Sequence, residues 1–296
     1  VRGYAMEQAW GLSTQDVGGW LSDRARGMGV AAVTGAIAAV AFFAIVRWQP
    51  RTWWVWGWAG FTILTAALVF LYPIVVAPLF NKFTPLKDPA LEQRVTEMAD
   101  AAGVNIDEVL VADASRRTTA ENAYVAGFGQ SKRLVVYDTL LAAGDDDATA
   151  FVVAHELGHR AESHIWKGLA LASVGLLVGF AILYRLVRVE SLLSWTGASG
   201  ISDLRILPLL LLFATVAGLI ALPLENWVSR RFEARADEVA LELTHDPATA
   251  VRVFRRLALA NIADLRPPDP VVWALYTHPP IVERVEAAVA ESNLAP

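Results

Sequence analysis

Four long apolar runs separated by charged stretches dominate the hydrophobic pattern of this chain. They cover residues 27–46, 53–80, 168–184 and 206–224. A helix rises about 1.5 Å per residue and the hydrocarbon core of a bilayer is about 30 Å thick, so each run is long enough, or nearly so, to cross a membrane. The alternative is a soluble bundle of buried helices, which is less favoured because a chain of this length can hardly enclose four such runs. We therefore predict four transmembrane helices.

The short segments around these runs carry interfacial signals. Residues 1–26 mix polar side chains with apolar ones such as Trp10 and Leu12, and are predicted to form an amphipathic helix at the membrane surface. Tryptophans crowd the connection between the first two runs, where their amphipathic rings suit the headgroup layer. They are Trp48, Trp53, Trp54, Trp56 and Trp58. This hairpin is therefore also expected at the interface.

The polar stretch between the second and third runs has the periodicity of a small mixed α and β region. Residues 89–102 repeat apolar side chains at helical spacing and are followed by Gly103, a helix-ending residue. The acidic residues 145–147 favour the positive end of a helix dipole and predict a further helix from about Ala148. Short strands rich in β-branched residues are predicted over residues 108–112, 123–128 and 133–137. The predicted fold class is mainly α, with a small β-sheet.

Composition supports the membrane assignment and narrows the chemistry. Hydrophobic residues make up 55% of the 296 residues, and the mean hydropathy is +0.41, which is unusual for a soluble protein. The net charge of −5 and the lack of a basic block give no reason to expect a nucleic-acid partner. The chain has no cysteine, so disulfides and thiolate ligands are excluded and a metal site must use histidine, aspartate or glutamate.

Residues 155–159 read HELGH, which is the HExxH pattern. Residues four apart lie on one face of a helix, so His155 and His159 can bind one metal ion, and Glu156 can take a proton from water at the remaining coordination position. The alternative is a helix with incidental surface histidines, but its apolar flanks indicate burial, where unpaired His and Glu would be costly. His164 points off the ligand face and is expected to be a satisfied or exposed histidine. We expect the helix to continue past His159 towards the third apolar run.

A catalytic zinc site generally needs a third protein ligand and one open position. Glu233 is the best candidate, in a helical stretch where Asp237 shares its face at i, i+4 spacing. If the third and fourth runs both cross the membrane, Glu233 returns to the side of His155. Asp237 is then expected to accept a hydrogen bond from a ligand histidine. One alternative is a solvated network of Glu233 with Arg230 and Asp237. Other carboxylates could also be the ligand: Glu225, Glu238 or Glu242.

Several ordered segments carry a family resemblance. They are PLFNKFTPL at 78–86, Asn122-Ala123-Tyr124, KRLVVYDTLL at 132–141, HELGH at 155–159, SRRFEARAD at 229–237, and His278-Pro279-Pro280 followed by Glu283-Arg284. Together they resemble the type I CAAX prenyl proteases, the family that processes yeast a-factor and human prelamin A. The resemblance covers nearly the whole chain. Family members usually have seven spans, so we expect this chain to be an N-terminally truncated, bacterial-like member.

The resemblance implies an architecture and a metal. The fold would be a multi-span transmembrane helical barrel around a large water-filled chamber. One Zn²⁺ ion per chain would be held by His155, His159 and Glu233 near the cytosolic side. A similar ligand set can bind Fe(II), but zinc is favoured because this site type is its usual hydrolytic geometry.

The resemblance also implies how substrate is held. An edge strand would pair with the substrate backbone by β-strand addition, through Asn122, Ala123 and Tyr124. His278 would help hold the substrate and the developing oxyanion, and Arg230 would lie at the active-site floor, so both join Glu156 as predicted catalytic residues. Without the resemblance, the alternative for His278 is a loop histidine before Pro279.

The motif and the resemblance together predict a zinc metalloendopeptidase. It would hydrolyse peptide bonds near the C-terminus of CAAX-type or related membrane-associated substrates, and its partners would be a peptide or protein, prenylated or not, and the lipid bilayer. One alternative is a membrane protein quality-control metalloprotease of the HtpX type. Another is a zinc-binding scaffold or inactive chaperone, against which the intact Glu156 argues.

We predict one interwoven domain in five segments. They are an amphipathic interfacial segment (1–26), two transmembrane helices (27–80), a catalytic region with the substrate strand and the HELGH helix (81–167), two more transmembrane helices (168–224), and the third-ligand helix with a C-terminal catalytic segment (225–296). The protein is expected in the cell membrane if bacterial, or in the endoplasmic reticulum if eukaryotic. The distribution of Lys and Arg does not decide the orientation, whereas the resemblance implies an active site that faces the cytosol.

Overall fold

Helices form most of the computed structural model, which describes residues 2–128, 131–260 and 262–294. In chain order the elements are α1 (Arg2–Ala9), α2 (Val17–Trp48), α3 (Trp53–Leu71), β1 (Phe83–Pro85), α4 (Pro89–Ala101), β2 (Glu108–Ala112), β3 (Ala123–Phe128), β4 (Ser131–Tyr137), α5 (Asp138–Ala142), α6 (Asp146–Ala161), α7 (His164–Leu186), α8 (Glu190–Thr196), α9 (Leu207–Thr244), α10 (Pro247–Ala260), α11 (Asp269–Leu275) and α12 (Ile281–Leu294). The prediction of a mainly α fold with a small sheet is confirmed.

The chain divides into two compact units, each assembled from segments that are distant in sequence. The polar unit contains the described residues of Val1–Arg26, Tyr72–His164 and Asn226–Pro296. The apolar unit contains Gly27–Leu71 and Ile165–Glu225. The sheet and the HELGH helix both belong to the polar unit.

Four helical stretches in the described part of the chain are long and apolar enough to cross a membrane. They are Val17–Trp48, Trp53–Leu79, His164–Leu186 and Leu204–Thr244. Between 0% and 17% of the residues in their most apolar windows are buried. Helices with so much uncovered apolar surface belong in lipid, because a soluble protein would have to expose that surface to water. The soluble-bundle alternative is therefore rejected, and the four predicted spans are confirmed.

Two of these helices differ from their predicted boundaries. Residues 17–26, which were expected to lie in the surface segment, form the first turns of α2. α3 ends at Leu71 and is followed by a π-helical turn and a 3-10 turn. Pro73 lies in the first of these turns and Pro78 in the second. Proline disturbs a regular helix because it lacks an amide hydrogen and its ring clashes with the preceding turn.

Aromatic packing holds the core of the apolar unit. Trp53 is 2% exposed, and its ring contacts that of Phe42 edge to face at a centroid distance of 5.8 Å. A Cβ atom on Gly57 would lie 2.5 Å from the ring of Phe180, so the glycine lets α3 and α7 pack closely. Trp48, in contrast, is exposed. Close helix packing therefore encloses the ring of Trp53, and the position of the tryptophan cluster at the membrane interface stays a prediction.

The polar unit contains a four-stranded mixed sheet with the order β1-β2-β4-β3. β2 and β4 are parallel, with Leu110 opposite Val135, and β1 and β3 are antiparallel strands at the two edges. All three predicted strands are present. β1 was missed because its three residues end in Pro85 and are too few to show alternation. No other strand of the described residues pairs with the outer side of β3.

The core of the polar unit packs α6 against the sheet and α10. Phe151 of α6 and Phe254 of α10 are each 1% exposed, and their rings contact edge to face at 5.6 Å. Leu134 and Val136 of β4 belong to the same buried cluster. Burying one such side chain contributes about 1.5–3 kcal/mol. The cluster therefore holds the HELGH helix firmly against β3 and β4.

The HELGH helix ends sooner than predicted. Ala161 is the last residue of α6, and Ser163 has a positive φ of 56°. A new helix, α7, begins at His164. A residue in the left-handed region interrupts the helical path, so α6 does not continue into the third span as a single helix.

α9 shows the opposite difference. It is one helix of 38 residues from Leu207 to Thr244, although Pro223 lies inside it. Its first half is the fourth apolar run, and its second half carries Glu233. The span and the ligand helix that the sequence suggested separately are therefore one element.

Candidate metal centre

α6 presents the HELGH side chains. The carboxylate of Asp145 accepts a hydrogen bond from the amide of Ala148 at 2.9 Å, which caps the helix N-terminus. The helix then continues as far as Ala161, so His155 and His159 lie one turn apart on the same face. Their ring centroids are 4.8 Å apart.

A close approach of α6 and α9 brings the third candidate ligand to this face. A Cβ atom on Gly158 would lie 3.1 Å from the Cα and carbonyl oxygen of Ala236, and 3.1 Å from the Cβ of Val239. The absence of a side chain therefore lets the two helices pack closely here. Glu233 lies about one turn before Ala236 and is 8% exposed.

Ligand atoms of His155, His159 and Glu233 all lie within 4.8 Å of one another. The Nε2 atom of His155 is 3.2 Å from Oε2 of Glu233, and the Nε2 atom of His159 is 3.4 Å from Oε1. The two Nε2 atoms are 3.1 Å apart. We call these three residues the ligand cluster, because their arrangement can hold a metal ion.

Each histidine of the ligand cluster has a partner at its other ring nitrogen. Nδ1 of His155 lies 2.8 Å from Oδ1 of Asp237, and Nδ1 of His159 lies 2.9 Å from Nδ1 of His164. Because a carboxylate can only accept, His155 carries a proton on Nδ1, and Nε2 is the ring nitrogen that faces the cluster. The contact expected of Asp237 is present, and its role in metal binding stays a prediction.

Two residues around the cluster were not given a role by sequence reasoning. Arg284 donates two hydrogen bonds to Asp237, at 2.6 and 2.7 Å, and both side chains are 9% exposed. His164 is buried, and its ring stacks on Phe232 at a centroid distance of 4.2 Å. Arg284 had a signal in the Glu283-Arg284 segment, but nothing local indicated its partner. His164 lies outside the ligand cluster and contacts His159 from behind.

The electrostatics of the ligand cluster favour a cation. Burial lowers the pKa of His155, but hydrogen bonds with Asp237 and Glu233 outweigh it and raise the pKa to about 10. Oε2 of Glu233 is buried and lies 3.2 Å from Nε2 of His155 and 3.3 Å from Nε2 of His278. Such an oxygen is costly unless a positive charge compensates it. Two imidazoles and one carboxylate are a usual set of protein ligands in a catalytic zinc site, so the residues present fit a zinc ion.

The competing carboxylates lie in other surroundings. Glu238 and Glu242 accept hydrogen bonds from Arg235 at 2.9 and 3.2 Å, and Glu225 is exposed. Glu233 itself is buried, which excludes the solvated surface network considered as an alternative. Of these carboxylates, Glu233 is the one that the fold brings to the two histidines.

Arg230 ties down the segment that leads to His278. It donates hydrogen bonds from Nη1 to the carbonyl oxygens of Val272, at 2.8 Å, and Tyr276, at 2.6 Å. His278 follows, and its Nε2 atom lies 3.3 Å from Oε2 of Glu233. The structure thus brings His278 to the ligand cluster, whereas these contacts of Arg230 are with the supporting segment. The catalytic roles expected of both stay predictions.

Glu156 lies beside the ligand cluster as the residue after His155. Its pKa is raised because burial disfavours the charged carboxylate, although the nearby charges of His155 and His159 act in the opposite direction. A carboxylate with a raised pKa is a better proton acceptor than an exposed one. The general-base role expected of Glu156 stays a prediction.

The predicted substrate-binding residues lie at the start of the edge strand β3. Asn122 precedes the strand, and its carbonyl oxygen accepts a hydrogen bond from the amide of Tyr137 at 2.9 Å. Ala123 is buried in the core. Tyr124 lies 6.4 Å from Tyr137, ring to ring, and burial raises its pKa to about 12. The contact of this strand with substrate stays a prediction.

Arg160 links the HELGH helix to β3 and was missed by sequence reasoning. Its Nη2 donates a hydrogen bond to the carbonyl oxygen of Val125. Arg160 lies four residues after Glu156, so the two side chains share one face of α6. That spacing was the only local signal, and it does not reveal the partner of a long flexible side chain.

Two family profiles match almost all of the chain. Residues 85–292 match the profile of peptidase family M48. Residues 2–82 match a profile described as CAAX prenyl protease N-terminal, five membrane helices.

Individual proteins are similar over nearly the same extent. The uncharacterized metalloprotease YhfN of Bacillus subtilis is 33% identical over 98% of this chain and 69% of its own length. A CAAX prenyl protease 1 homolog of Arabidopsis thaliana is 31% identical over 98% of the chain and 68% of its length. The crystal structure of S. mikatae Ste24p matches with a TM-score of 0.87 and 26% identity, over 96% of this chain and 70% of that one.

Proposed function

Because the chain belongs to peptidase family M48, we propose that this integral membrane metalloendopeptidase uses zinc to hydrolyse peptide bonds near the C-terminus of CAAX-type or related membrane-associated substrates. The observation that carries the proposal is the convergence of His155, His159 and Glu233 on one point beside Glu156. A family member without this arrangement would be a candidate for an inactive scaffold. Here each chemical group of a metalloprotease site is present.

The ligand cluster would hold the zinc ion through Nε2 of His155, Nε2 of His159 and the carboxylate of Glu233. Bound there, zinc would polarise the scissile carbonyl and lower the pKa of water. Asp237 holds the His155 ring with Nε2 facing the cluster, and Arg284 holds Asp237. This buried chain of contacts orients the ligand before any ion binds.

In this proposal Glu156 transfers the proton. Its carboxylate would accept a proton from the attacking water and later deliver it to the leaving amine. Burial raises its pKa, which suits both steps, since the group must gain and lose a proton in one turnover. His278, whose Nε2 atom lies 3.3 Å from Oε2 of Glu233, would donate a hydrogen bond to the substrate carbonyl oxygen as negative charge develops.

The substrate backbone would pair with the outer side of β3. Two observations support this. No strand of the described residues occupies that side, and Arg160 contacts Val125 there from the face of α6 that also bears Glu156. A peptide extended along β3 would therefore pass the general base. Relatives named CAAX prenyl protease 1 support a C-terminal CAAX-type substrate, and an active site open to the cytosol would meet such substrates.

The proposal is tested with Glu156→Gln, a change that keeps size and removes the base. Purified protein in detergent should retain one zinc ion per chain by elemental analysis, while cleavage of a CAAX peptide falls by about 10²–10⁴-fold. Glu97→Gln, an exposed position on α4, is the matched control and should cleave normally. A chelator should abolish wild-type cleavage, and zinc should restore it.

Substrate class is tested with three peptides that share one sequence: farnesylated, unmodified, and extended beyond the CAAX end. Preferred cleavage of the first two over the third supports the proposal. Full activity of Glu156→Gln would refute the general-base assignment. Activity that survives complete removal of metal would refute the metal mechanism as a whole.

A further inference from the structure

The outer edge of β3 has a regular pattern of backbone groups. In an antiparallel pair, alternate residues bond to the partner strand and the others point away from it. The carbonyl of Asn122 bonds to Tyr137, and Ala123 is opposite Val136. The amide and carbonyl groups of Ala123 and Val125 therefore point outward, away from β4. An added strand would use these groups.

One of these outward groups is already occupied. The carbonyl oxygen of Val125 accepts a hydrogen bond from the guanidinium of Arg160. A hydrogen bond from a charged donor is stronger than one from a peptide amide. An incoming peptide can therefore bond to both groups of Ala123, but it meets a competitor at the carbonyl of Val125.

Arg160, which competes with the peptide for the carbonyl of Val125, lies close to the predicted catalytic residues along the sequence of α6. It follows His159 directly and lies one helical turn after Glu156 on α6. α6 itself is held against β3 by the buried core of the polar unit. The end of the available edge is thus at a set distance from the ligand cluster and the general base.

We propose that Arg160 is a specificity-determining residue, which ends strand addition at Val125 and so holds the peptide in one register relative to the ligand cluster. The inference rests on the proposed function, because it presumes a peptide paired with β3. Side chains alternate along a strand, so the nearest alternative register differs by two residues. A slip of this size would present a different peptide bond for cleavage.

Backbone N-methylation of the substrate tests the inference on the complete protein. A methyl group on a peptide nitrogen removes one hydrogen-bond donor. In the wild type, methylation of the substrate amide that donates to the carbonyl of Ala123 should reduce cleavage efficiency about fivefold. Methylation of the substrate amide two residues further along, which would donate to the carbonyl of Val125 if Arg160 did not occupy it, should leave cleavage efficiency unchanged. This holds for either direction of the added strand, because both place the two donors two residues apart.

Arg160→Met removes the guanidinium and keeps most of the apolar stem. In this variant the second amide should become sensitive by about fivefold, and mass spectrometry of the products should show a new cleavage two residues from the main site. Arg160→Lys keeps a cationic donor and should retain more of the wild-type pattern. Arg94→Met, which removes an exposed ion pair with Asp147 near the start of α6, is the matched control and should leave the products unchanged.

The outcomes separate the two proposals. Two sensitive amides already in the wild type would overturn the role of Arg160, even if the Arg160→Met protein fails to fold. Reduced cleavage by Arg160→Met with an unchanged product and unchanged methylation pattern would also overturn it, since a structural role explains that result. A wild type that cleaves no CAAX peptide would instead refute the proposed function.

Discussion

Asp237→Asn should damage the protein in two separable ways. Oδ1 of Asp237 accepts from both Nδ1 of His155 and Arg284, and Oδ2 accepts a second bond from Arg284. An asparagine can keep the oxygen contacts but places an amide NH₂ against the guanidinium. Arg284 is 9% exposed, so its charge would lose its buried partner. Breaking such a pair costs about 3–5 kcal/mol, and loss of a ligand-orienting carboxylate lowers zinc affinity about 10–100-fold.

A second substitution divides these effects. Arg284→Met removes the charge and keeps an apolar side chain over the ring of Phe254, which the guanidinium covers at 4.3 Å. The double variant Asp237→Asn with Arg284→Met should therefore recover most of the stability, because no unpaired charge remains. Zinc affinity should stay low, since His155 still lacks its carboxylate.

Two measurements are needed for this comparison. Thermal unfolding in detergent with a chelator present reports the stability of the metal-free protein, and competition with a chromophoric chelator reports zinc affinity. The reasoning is refuted if Asp237→Asn unfolds like the wild type. It is also refuted if the double variant recovers zinc affinity together with stability, because the carboxylate would then have no separate effect on the metal.

Three further changes have defined outcomes. Gly158→Ala should force α6 and α9 apart, cost about 1–3 kcal/mol and weaken zinc binding, whereas Gly168→Ala, where a Cβ meets no atom within 4 Å, should change neither in the same assays. Asp246→Ala should cost about 1 kcal/mol as a lost helix cap. Hydrogen bonds with Thr249 lower the pKa of Asp246, so its contribution is present above the unfolded-state pKa of an aspartate and is lost as the pH falls through the lower folded-state value; a wild-type minus variant difference in unfolding free energy that grows towards acid pH would contradict this. His164→Ala should reduce zinc affinity by freeing the His159 ring, measured by chelator competition, and unchanged affinity would show that the contact has no orienting role.

Local patterns in the sequence were sufficient for the elements with regular periodicity. The four spans, the strands β2, β3 and β4 and the helical face of His155 and His159 all follow from spacing that a few consecutive residues define. The failures occurred where a boundary depends on surroundings. The helix break at Ser163 is an example, because its left-handed backbone conformation is not marked by the type of residue at that position.

The sequence by itself determined which chemistry is available: two histidines one turn apart, a carboxylate between them, no thiolate, and apolar helices long enough for a bilayer. Only the tertiary structure decided which distant groups complete the site. Asp237 meets His155 across 82 residues, and the approach that allows Glu233 to join it depends on Gly158 lying against Ala236. Periodicity is a property of neighbouring residues, whereas these contacts depend on how two helices pack, so the partners of Arg160 and Arg284 became visible only in the folded chain.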